Sequence, residues 1–187
     1  MCWVARIELT EADVTAARSG EPDATGRIYA ALAPAVLGYL RAHGVPDAEA
    51  VMQDVFVALI PRLPSITGGV EGVRRLVFTI ARARMVDATR SRARRPNEVT
   101  YEAELDLRAV SSAEDVAQGS LSLAEVRAVL AALPADQAEV LTLRVIADLS
   151  IEQVAAIMGR SAGAVKQLQR RALIGVRERL AERDSTS

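Results

Sequence analysis

Apolar residues recur every three to four positions along most of the chain, and this spacing predicts helices rather than strands. Asp47 is placed to cap a helix that follows it, and Pro61 and Pro64 are expected to end that helix. Three helices are predicted in the first half, over residues 25–42, 47 to about 60, and about 70–94. Each has one apolar face, so the three are expected to share a core.

The apolar pattern fades between Pro96 and Ser120, where six acidic residues face a single arginine, Arg108. A polar stretch of one charge sign is typical of a linker. The sequence therefore predicts an all-α protein in which two small helical domains are joined by an acidic linker. The expected division is an N-terminal segment at 1–22, a first domain at 23–95, the linker at 96–120 and a second domain at 121–187.

The clearest local signal is a turn predicted at Gly159-Arg160-Ser161. Ser150 and Gln153 have capping-box spacing before it, and Ser161 is placed to cap a helix from Ala162 to about Ala181. Two helices joined in this way have the form of a helix-turn-helix, whose second helix enters the major groove of DNA. The alternative is a plain helical hairpin with a solvated basic face. The candidate contacts to DNA are Ser161, Gly163, Ala164, Lys166, Gln167, Arg170 and Arg171.

Arginine is concentrated in the third predicted helix. Between Arg74 and Arg95 there are eight arginines and a single acid, Asp87. A basic stripe of this density attracts nucleic-acid phosphates, and Phe78 could stack on a base. The alternative for Phe78 is a place in the core, as for most lone aromatic residues on an apolar helix face.

The charge and composition of the chain narrow the kinds of site and function that remain open for this protein. The net charge is -1, but opposite charges in separate segments give such a sum, so it does not exclude DNA binding. Cys2 and His43 are the only residues of their types, which excludes an internal disulfide and a Cys/His zinc site, and no cofactor or metal is expected. His43 is expected to have a capping or surface role. Apolar runs are too short for a membrane span, which favours a soluble, cytoplasmic protein without membrane insertion.

A catalytic function is also disfavoured. Glu49 and Asp54 share a helix with Gln53, but no nucleophile, glycine-rich phosphate loop or metal-ligand spacing accompanies these acids. The pair therefore has no partner for general acid–base chemistry. We expect a protein that acts by binding rather than an enzyme.

The order of these segments resembles the extracytoplasmic-function (ECF) sigma factors of the bacterial sigma-70 family, from about Asp23 to Leu180. The resemblance implies a region 2 helical bundle, a region 4 helix-turn-helix, and a subunit that binds core RNA polymerase and directs promoter-specific transcription initiation. Such a subunit recognises minus-35 and minus-10 DNA elements and stabilises the melted strand. The motifs are Gln53-Asp54-Val55-Phe56, Phe78-Thr79-Ile80-Ala81-Arg82, Leu130-Ala131-Ala132-Leu133-Pro134-Ala135-Asp136-Gln137, Leu149-Ser150-Ile151-Glu152-Gln153-Val154-Ala155 and Met158-Gly159.

The resemblance also implies a role for each surface. The last helix reads the minus-35 element through the helix-turn-helix residues named above, and an anti-sigma factor is implied as a further partner. The β′ clamp helices and the β subunit of the polymerase are implied partners, the former through Asp47, Glu49, Gln53, Asp54 and Phe56. The minus-10 element is read by Arg74, Arg75, Phe78, Arg82, Arg84, Asp87 and Arg90.

The chain departs from the family pattern at Ala50, Leu76 and Ala83, where an acid, a tryptophan and an asparagine are usual. Two alternatives stay open, and these departures support the second of them. One is a stand-alone helix-turn-helix regulator, which predicts tight duplex binding without polymerase. The other is a degenerate sigma-like interaction protein, which predicts polymerase binding without transcripts.

Overall fold

The computed structural model describes residues 8–94 and 123–184, with side chains over 8–90 and 124–182. Every regular element in these ranges is helical, which confirms the all-α prediction. The predicted linker, residues 96–120, lies outside the described residues. The α-helices are α1 (Glu11–Arg18), α2 (Pro22–Ala42), α3 (Ala48–Leu59), α4 (Gly69–Arg94), α5 (Leu123–Ala131), α6 (Ala135–Val145), α7 (Ile151–Met158) and α8 (Ala162–Asp184).

The first domain is built from α1 to α4 around one apolar core. Ile28, Leu32 and Val36 follow one face of α2 at helical spacing and are buried, with Val55 of α3 and Val73 of α4 against them. Burial of such side chains is the main force that holds a small helical domain together. The core therefore fixes α4 against α2 and α3.

Two boundaries in this domain differ from the sequence prediction. Helix α2 begins at Pro22, three residues before the predicted start, because proline is well suited to a first helical turn, where its missing N–H is not needed. The chain after α3 is also still helical, since Ile60–Ser65 forms a 3-10 helix that contains both prolines. Asp47 caps α3 as predicted, by accepting a hydrogen bond from the backbone N–H of Ala50.

Helix α1 is an element that the periodicity did not predict. Thr10 and Asp13 form a capping box at its start, and Asp13 accepts a hydrogen bond of 2.5 Å from Arg27 Nε of α2. Val14 and Ala17 are buried in the core of the first domain. The hydrogen bonds from Thr10 and from Arg27 favour the charged form of the Asp13 carboxyl and lower its pKa to about 2.

The second domain, α5 to α8, carries the predicted helix-turn-helix. Ser150 and Gln153 form the predicted capping box at the start of α7, and Gly159 ends that helix with φ +64, a left-handed conformation that suits glycine. Ser161 Oγ then accepts a hydrogen bond of 3.2 Å from the backbone N–H of Ala164 at the start of α8. Pro134 is the capping residue before α6.

The two domains pack against each other, which the sequence analysis did not predict. Helices α2 and α4 of the first domain contact α5, α6 and α7 of the second, and buried side chains from both domains form one continuous cluster. On α5, Arg127 Nε donates a hydrogen bond of 2.7 Å to the backbone carbonyl of Arg41. On α2, Gly38 approaches Ile146 so closely that a Cβ would lie 3.2 Å from Ile146 Cγ2.

Candidate nucleic-acid interface

The first half of α8 presents a polar, basic face to solvent. Val165 and Ala172 are buried on the opposite side, which fixes the rotation of the helix about its axis. No acidic residue occurs between residues 162 and 177, so no acid on this stretch opposes its positive charge. Of the seven predicted DNA contacts, Ala164 is half-buried and six are exposed: Ser161, Gly163, Lys166, Gln167, Arg170 and Arg171.

Three contacts hold α8 in place relative to α6 and α7. The backbone N–H of Arg160 donates a hydrogen bond of 3.0 Å to the carbonyl of Ala155, closing the turn after α7. The Arg160 side chain forms an ion pair with Asp136 at the start of α6. Together with the Ser161 cap, these contacts set the angle at which the second helix leaves the turn. A preset angle lets the exposed face of α8 be offered to a DNA groove as a rigid unit.

The basic face of α4 is narrower than the sequence suggested. Arg75, Arg84, Asp87 and Arg90 are exposed and Arg74 is half-buried. Phe78, however, is 0% exposed. Its ring packs edge-on against Tyr39, with 5.8 Å between ring centroids. The expectation that Phe78 is available to stack on a base is therefore wrong in this structure, because the residue belongs to the core.

A groove of about 430 Å³ lies beside the first half of α4. The loop before α4 is pressed against the helix, since a Cβ on Gly72 would collide with the carbonyl of Thr67. The groove combines guanidinium groups, hydroxyls and apolar carbons, a set that can hold a flat polar ring beside a phosphate. Its lining residues are Arg62, Ser65, Ile66, Thr67, Gly72, Arg75, Leu76 and Thr79. Of these, sequence reasoning selected only Arg75 as a contact.

Helix α3 carries the predicted acidic surface, with one correction. Asp47, Glu49, Gln53 and Asp54 are exposed, whereas Phe56 is 3% exposed, with its ring centroid 4.6 Å from that of Tyr29. Phe56 therefore packs in the core under α3 and is not available for contact with a partner protein. The ion pair with Arg41 on α2 lowers the pKa of Glu49 and keeps its carboxylate charged.

Sequence reasoning missed an apolar patch beside these acids. Val57 is 70% exposed, and Ile60 is also exposed. Val57 follows Gln53 by four positions and Asp54 by three, so the three side chains are neighbours on the helix surface. An acidic surface with an apolar centre is typical of a protein–protein contact.

The remaining predicted contact on α4, Arg82, is bound within the molecule. Its Nε lies 2.5 Å from Oε1 of Glu139 on α6, and its Nη2 lies 3.3 Å from Oε2. Glu139 is 6% exposed, so this carboxylate is buried where the two domains meet. The pair raises the pKa of Arg82. Arg82 is therefore not available to DNA in this arrangement.

Two polar side chains at the end of α2, those of Tyr39 and His43, lie near Glu139. His43, the residue that ends α2, has its Nε2 atom 2.8 Å from Oγ1 of Thr142. That hydroxyl lies 3.1 Å and 3.0 Å from the carbonyls of Ala138 and Glu139, so it donates to them and accepts from His43. The Tyr39 hydroxyl is buried near Glu139 but has no hydrogen-bond partner among the described residues. Burial and the Glu139 charge raise the pKa of Tyr39.

Two other kinds of site are absent from the described parts of the chain. Residues 8–94 and 123–184 contain no group of three or more His, Cys, Asp or Glu side chains placed to hold a metal ion. None of the helices in the same ranges is long and apolar enough to span a membrane.

Comparison with known proteins identifies the class of this fold. Residues 123–174 match the family described as Sigma-70, region 4. Two solved structures share the fold. One is CnrH in complex with the cytosolic domain of CnrY, which has a TM-score of 0.69 and 24% identity, with coverage of 94% of this chain and 99% of that chain. The other is the sigma factor RpoE in complex with the anti-sigma factor NepR from Bartonella quintana, which has a TM-score of 0.66 and 26% identity, with coverage of 82% of this chain and 94% of that chain. The molecule is thus a protein of the sigma-70 type.

Curated relatives define the family more closely. The chain is 33% identical over 175 residues to the ECF RNA polymerase sigma factor SigD of Mycobacterium tuberculosis. The aligned residues make up 89% of this chain and 81% of SigD. It is also 34% identical over 163 residues to the ECF RNA polymerase sigma factor BldN of Streptomyces coelicolor. That alignment includes 86% of this chain but only 61% of BldN. The chain belongs to the ECF RNA polymerase sigma factor family. It is a sigma factor that directs transcription initiation.

Proposed function

We propose that this sigma factor reads a minus-35 element as duplex through α8, captures the non-template strand of a minus-10 element along α4, and binds core polymerase through α3. The observation that carries this proposal is the exposed basic face of α8 directly after the capped turn at Gly159 and Ser161. A helix presented in this way fits the width of the major groove.

On α8 the residue types divide the work. Gln167 has an amide that can pair with a base edge in the major groove, which gives sequence preference. Lys166, Arg170 and Arg171 have charges that attract phosphates, which gives affinity without sequence preference. Gly163 has no side chain and lets the DNA backbone approach the start of the helix.

On α4 the groove supports capture of an unstacked base. Arg62 and Arg75 supply guanidinium groups for phosphate or base edges, and Ser65 and Thr79 supply hydroxyl oxygens. Arg84 and Arg90 continue the positive charge along the exposed side of the helix. Binding of single strands combines such a basic track with pockets for individual bases.

The surface of α3 supports contact with the polymerase. Its acids, with Val57 and Ile60 beside them, suit a basic partner surface with an apolar centre, and the β′ clamp helices are the partner that we propose. An anti-sigma factor is a further proposed partner, since the similar Bartonella quintana sigma factor was solved in complex with one. We assign the chain no catalytic activity of its own.

The test is a pair of α8 variants with a matched control. A duplex library with a randomised minus-35 region is first used to find the sequence that the wild-type holoenzyme prefers. Gln167→Ala is expected to change the preferred base at one position, and Arg171→Ala to weaken binding to all sequences and lower the slope of log K against log salt by about 1. Arg177→Ala, further along the same helix, is the control. Equal behaviour of all three variants and the wild type would contradict the proposal.

A further inference from the structure

The turn over residues 66–69, which forms one wall of the groove beside α4, contains two adjacent glycines. Gly68 and Gly69 both have left-handed backbone torsions, with φ +86 and +56. Glycine adopts this conformation without strain but adopts many others as well, so two adjacent glycines do not hold a turn in one shape by themselves. Thr67 and Gly72, on either side of the pair, line the groove. The shape of the groove therefore depends on what holds this turn.

The side chain that holds the turn is that of Glu11, at the start of α1. Its Oε1 atom accepts a hydrogen bond of 2.9 Å from the backbone N–H of Val70. Its carboxylate also lies against Gly69, where a Cβ would collide with it. Both contacts fall between Thr67 and Gly72 in the chain, so they hold the short stretch that connects the two walls of the groove.

Helix α1 is itself fixed to the rest of the first domain, and it can therefore hold the turn in place. Val14 and Ala17 are buried in the core. Asp13 forms an ion pair of 2.5 Å with Arg27 of α2. The helix contacts both α4 and the 3-10 helix at Ile60–Ser65, and each of these two elements supplies residues to the groove. A fixed helix in contact with both walls sets the distance between them.

The Glu11 carboxylate also occupies a place on α4 that attracts anions. The N–H groups at the start of a helix have no partner within the helix and bind phosphate readily. Because Glu11 fills this place at Val70, the phosphate of a nucleic-acid strand is left with the exposed guanidinium groups of Arg62 and Arg75, which line the groove. The side chain thus directs a strand towards the groove and away from the end of the helix.

We propose that α1 positions the groove for the minus-10 element, and that Glu11 does so through its hydrogen bond to Val70, which fixes the turn that determines which base the groove accepts. Glu11 is a positioning residue, since it holds the turn and does not line the groove itself. That the ligand of the groove is a base of the melted strand rests on the proposed function. The attachment of the turn to Glu11 rests only on contacts within the first domain.

The experiment measures base selection by the holoenzyme. Core polymerase with the full chain is given a promoter library that is premelted over the minus-10 element, with random bases on the non-template strand and one fixed minus-35 element. Bound templates are sequenced, and the ratio between the preferred base and the next-best base is determined at each melted position. A variant that only unfolds more readily binds less template but leaves this ratio unchanged. The ratio therefore separates positioning from stability.

Three variants separate the hydrogen bond from the charge. Glu11→Ala removes the acceptor. Glu11→Gln keeps an acceptor oxygen on a side chain of the same length and loses only the charge. Glu71→Ala is the matched control, because Glu71 is an exposed acid in the first turn of α4. Hydrogen exchange of the Val70 amide in the free protein shows directly whether the turn is held.

Glu11→Ala is expected to make exchange of the Val70 amide faster and to lower the base ratio at one melted position by about fivefold, the lower end of what one well-placed base contact supplies. Glu11→Gln and Glu71→Ala are expected to keep the wild-type exchange rate and the wild-type ratios.

An unchanged exchange rate or unchanged ratios in Glu11→Ala would overturn the proposal. Equal losses of the ratio in Glu11→Ala and in either of the other variants would also overturn it, because the charge rather than the hydrogen bond would then be responsible. Failure of the proposed function has another signature, since the wild-type holoenzyme itself would then select no base at any melted position.

Discussion

The carboxylate of Glu11 on α1 accepts a hydrogen bond of 2.9 Å from the backbone N–H of Val70, in the first turn of α4. The first four N–H groups of a helix have no partner within it, and a negative charge at this end is favourable. A residue of the N-terminal segment thus fixes the end of α4 that lines the groove. The two residues are 59 positions apart in the chain.

Replacing Glu11 by alanine should lower the free energy of unfolding by about 1 kcal/mol, the usual cost of losing a helix cap. Urea denaturation followed by circular dichroism measures this change. Glu71→Ala is the control, because Glu71 is also an acid in the first turn of α4 but makes no capping hydrogen bond there. Equal losses for the two variants would show that only charge matters at this helix end.

Two glycines should respond to alanine in opposite directions. Gly69 has φ +56, and a Cβ there would collide with the Glu11 carboxylate, so Gly69→Ala should destabilise the protein by more than about 1 kcal/mol. Gly26 lies within α2 with nothing near a new Cβ, so Gly26→Ala should stabilise it by about 0.5–1 kcal/mol. Thermal unfolding measures both. A loss of stability in Gly26→Ala would contradict this description of α2.

Removing the Ser150 cap should weaken the helix-turn-helix. The Ser150 hydroxyl accepts from the backbone N–H of Gln153 at 3.1 Å, and Ser150→Ala should cost about 1 kcal/mol. Hydrogen exchange of the α7 amides is expected to become faster in this variant. Ser19→Ala, an exposed serine outside any N-terminal cap, should change stability by less than about 0.5 kcal/mol. Similar effects at both sites would exclude a special role for the cap.

The single histidine, His43, lies where the two domains meet. Burial lowers the pKa of His43, against a smaller opposing effect of the Glu139 charge. A buried histidine with a lowered pKa stabilises the packed arrangement fully above its ordinary pKa of about 6.5, and this stabilisation is lost as the pH falls below that value. The charged or titratable groups of the elements around it are Glu139 on α6, Arg82 on α4, Tyr39 and Arg41 on α2, and Arg127 on α5.

NMR titration of the imidazole measures this directly, because the spectrum contains one histidine. We expect a pKa below 6.5 in the wild type and a value closer to 6.5 in Gly38→Leu, because a larger side chain beside Ile146 should push the second domain away from α2. Gly26→Ala, on the same helix but away from the interface, should leave the pKa at the wild-type value. An identical pKa in the wild type and Gly38→Leu would contradict burial of His43 between the domains.

Local chemistry made much of the fold predictable. Asp47, Ser150, Gly159 and Ser161 act on backbone groups within a few residues of themselves, so their roles could be deduced from spacing alone. Helix α1 escaped the periodicity because it has only eight residues, although the Thr10 and Asp13 capping box was a usable signal. Short helices depend on tertiary contacts that a sequence pattern does not contain.

Contacts between distant residues were not predictable. The sequence left Phe78 either in the core or against a base, and its contact with the Tyr39 ring, like that of Phe56 with the Tyr29 ring, depends on packing between helices. Arg82 looked like its exposed neighbours in the arginine-rich helix, but its partner Glu139 is 57 positions away. Charge patterning identifies which residues can bind an anion, and packing decides which of them face solvent.

Transcription from a promoter library tests the central claim most directly. Purified bacterial core polymerase is supplied with a library of duplex and premelted promoters, with and without this protein. We expect run-off transcripts that depend on the protein and share one pair of minus-35 and minus-10 sequences, and a changed base preference at one position of the minus-35 element in Gln167→Ala. Retention of the protein on the polymerase without any protein-dependent transcript would contradict the claim.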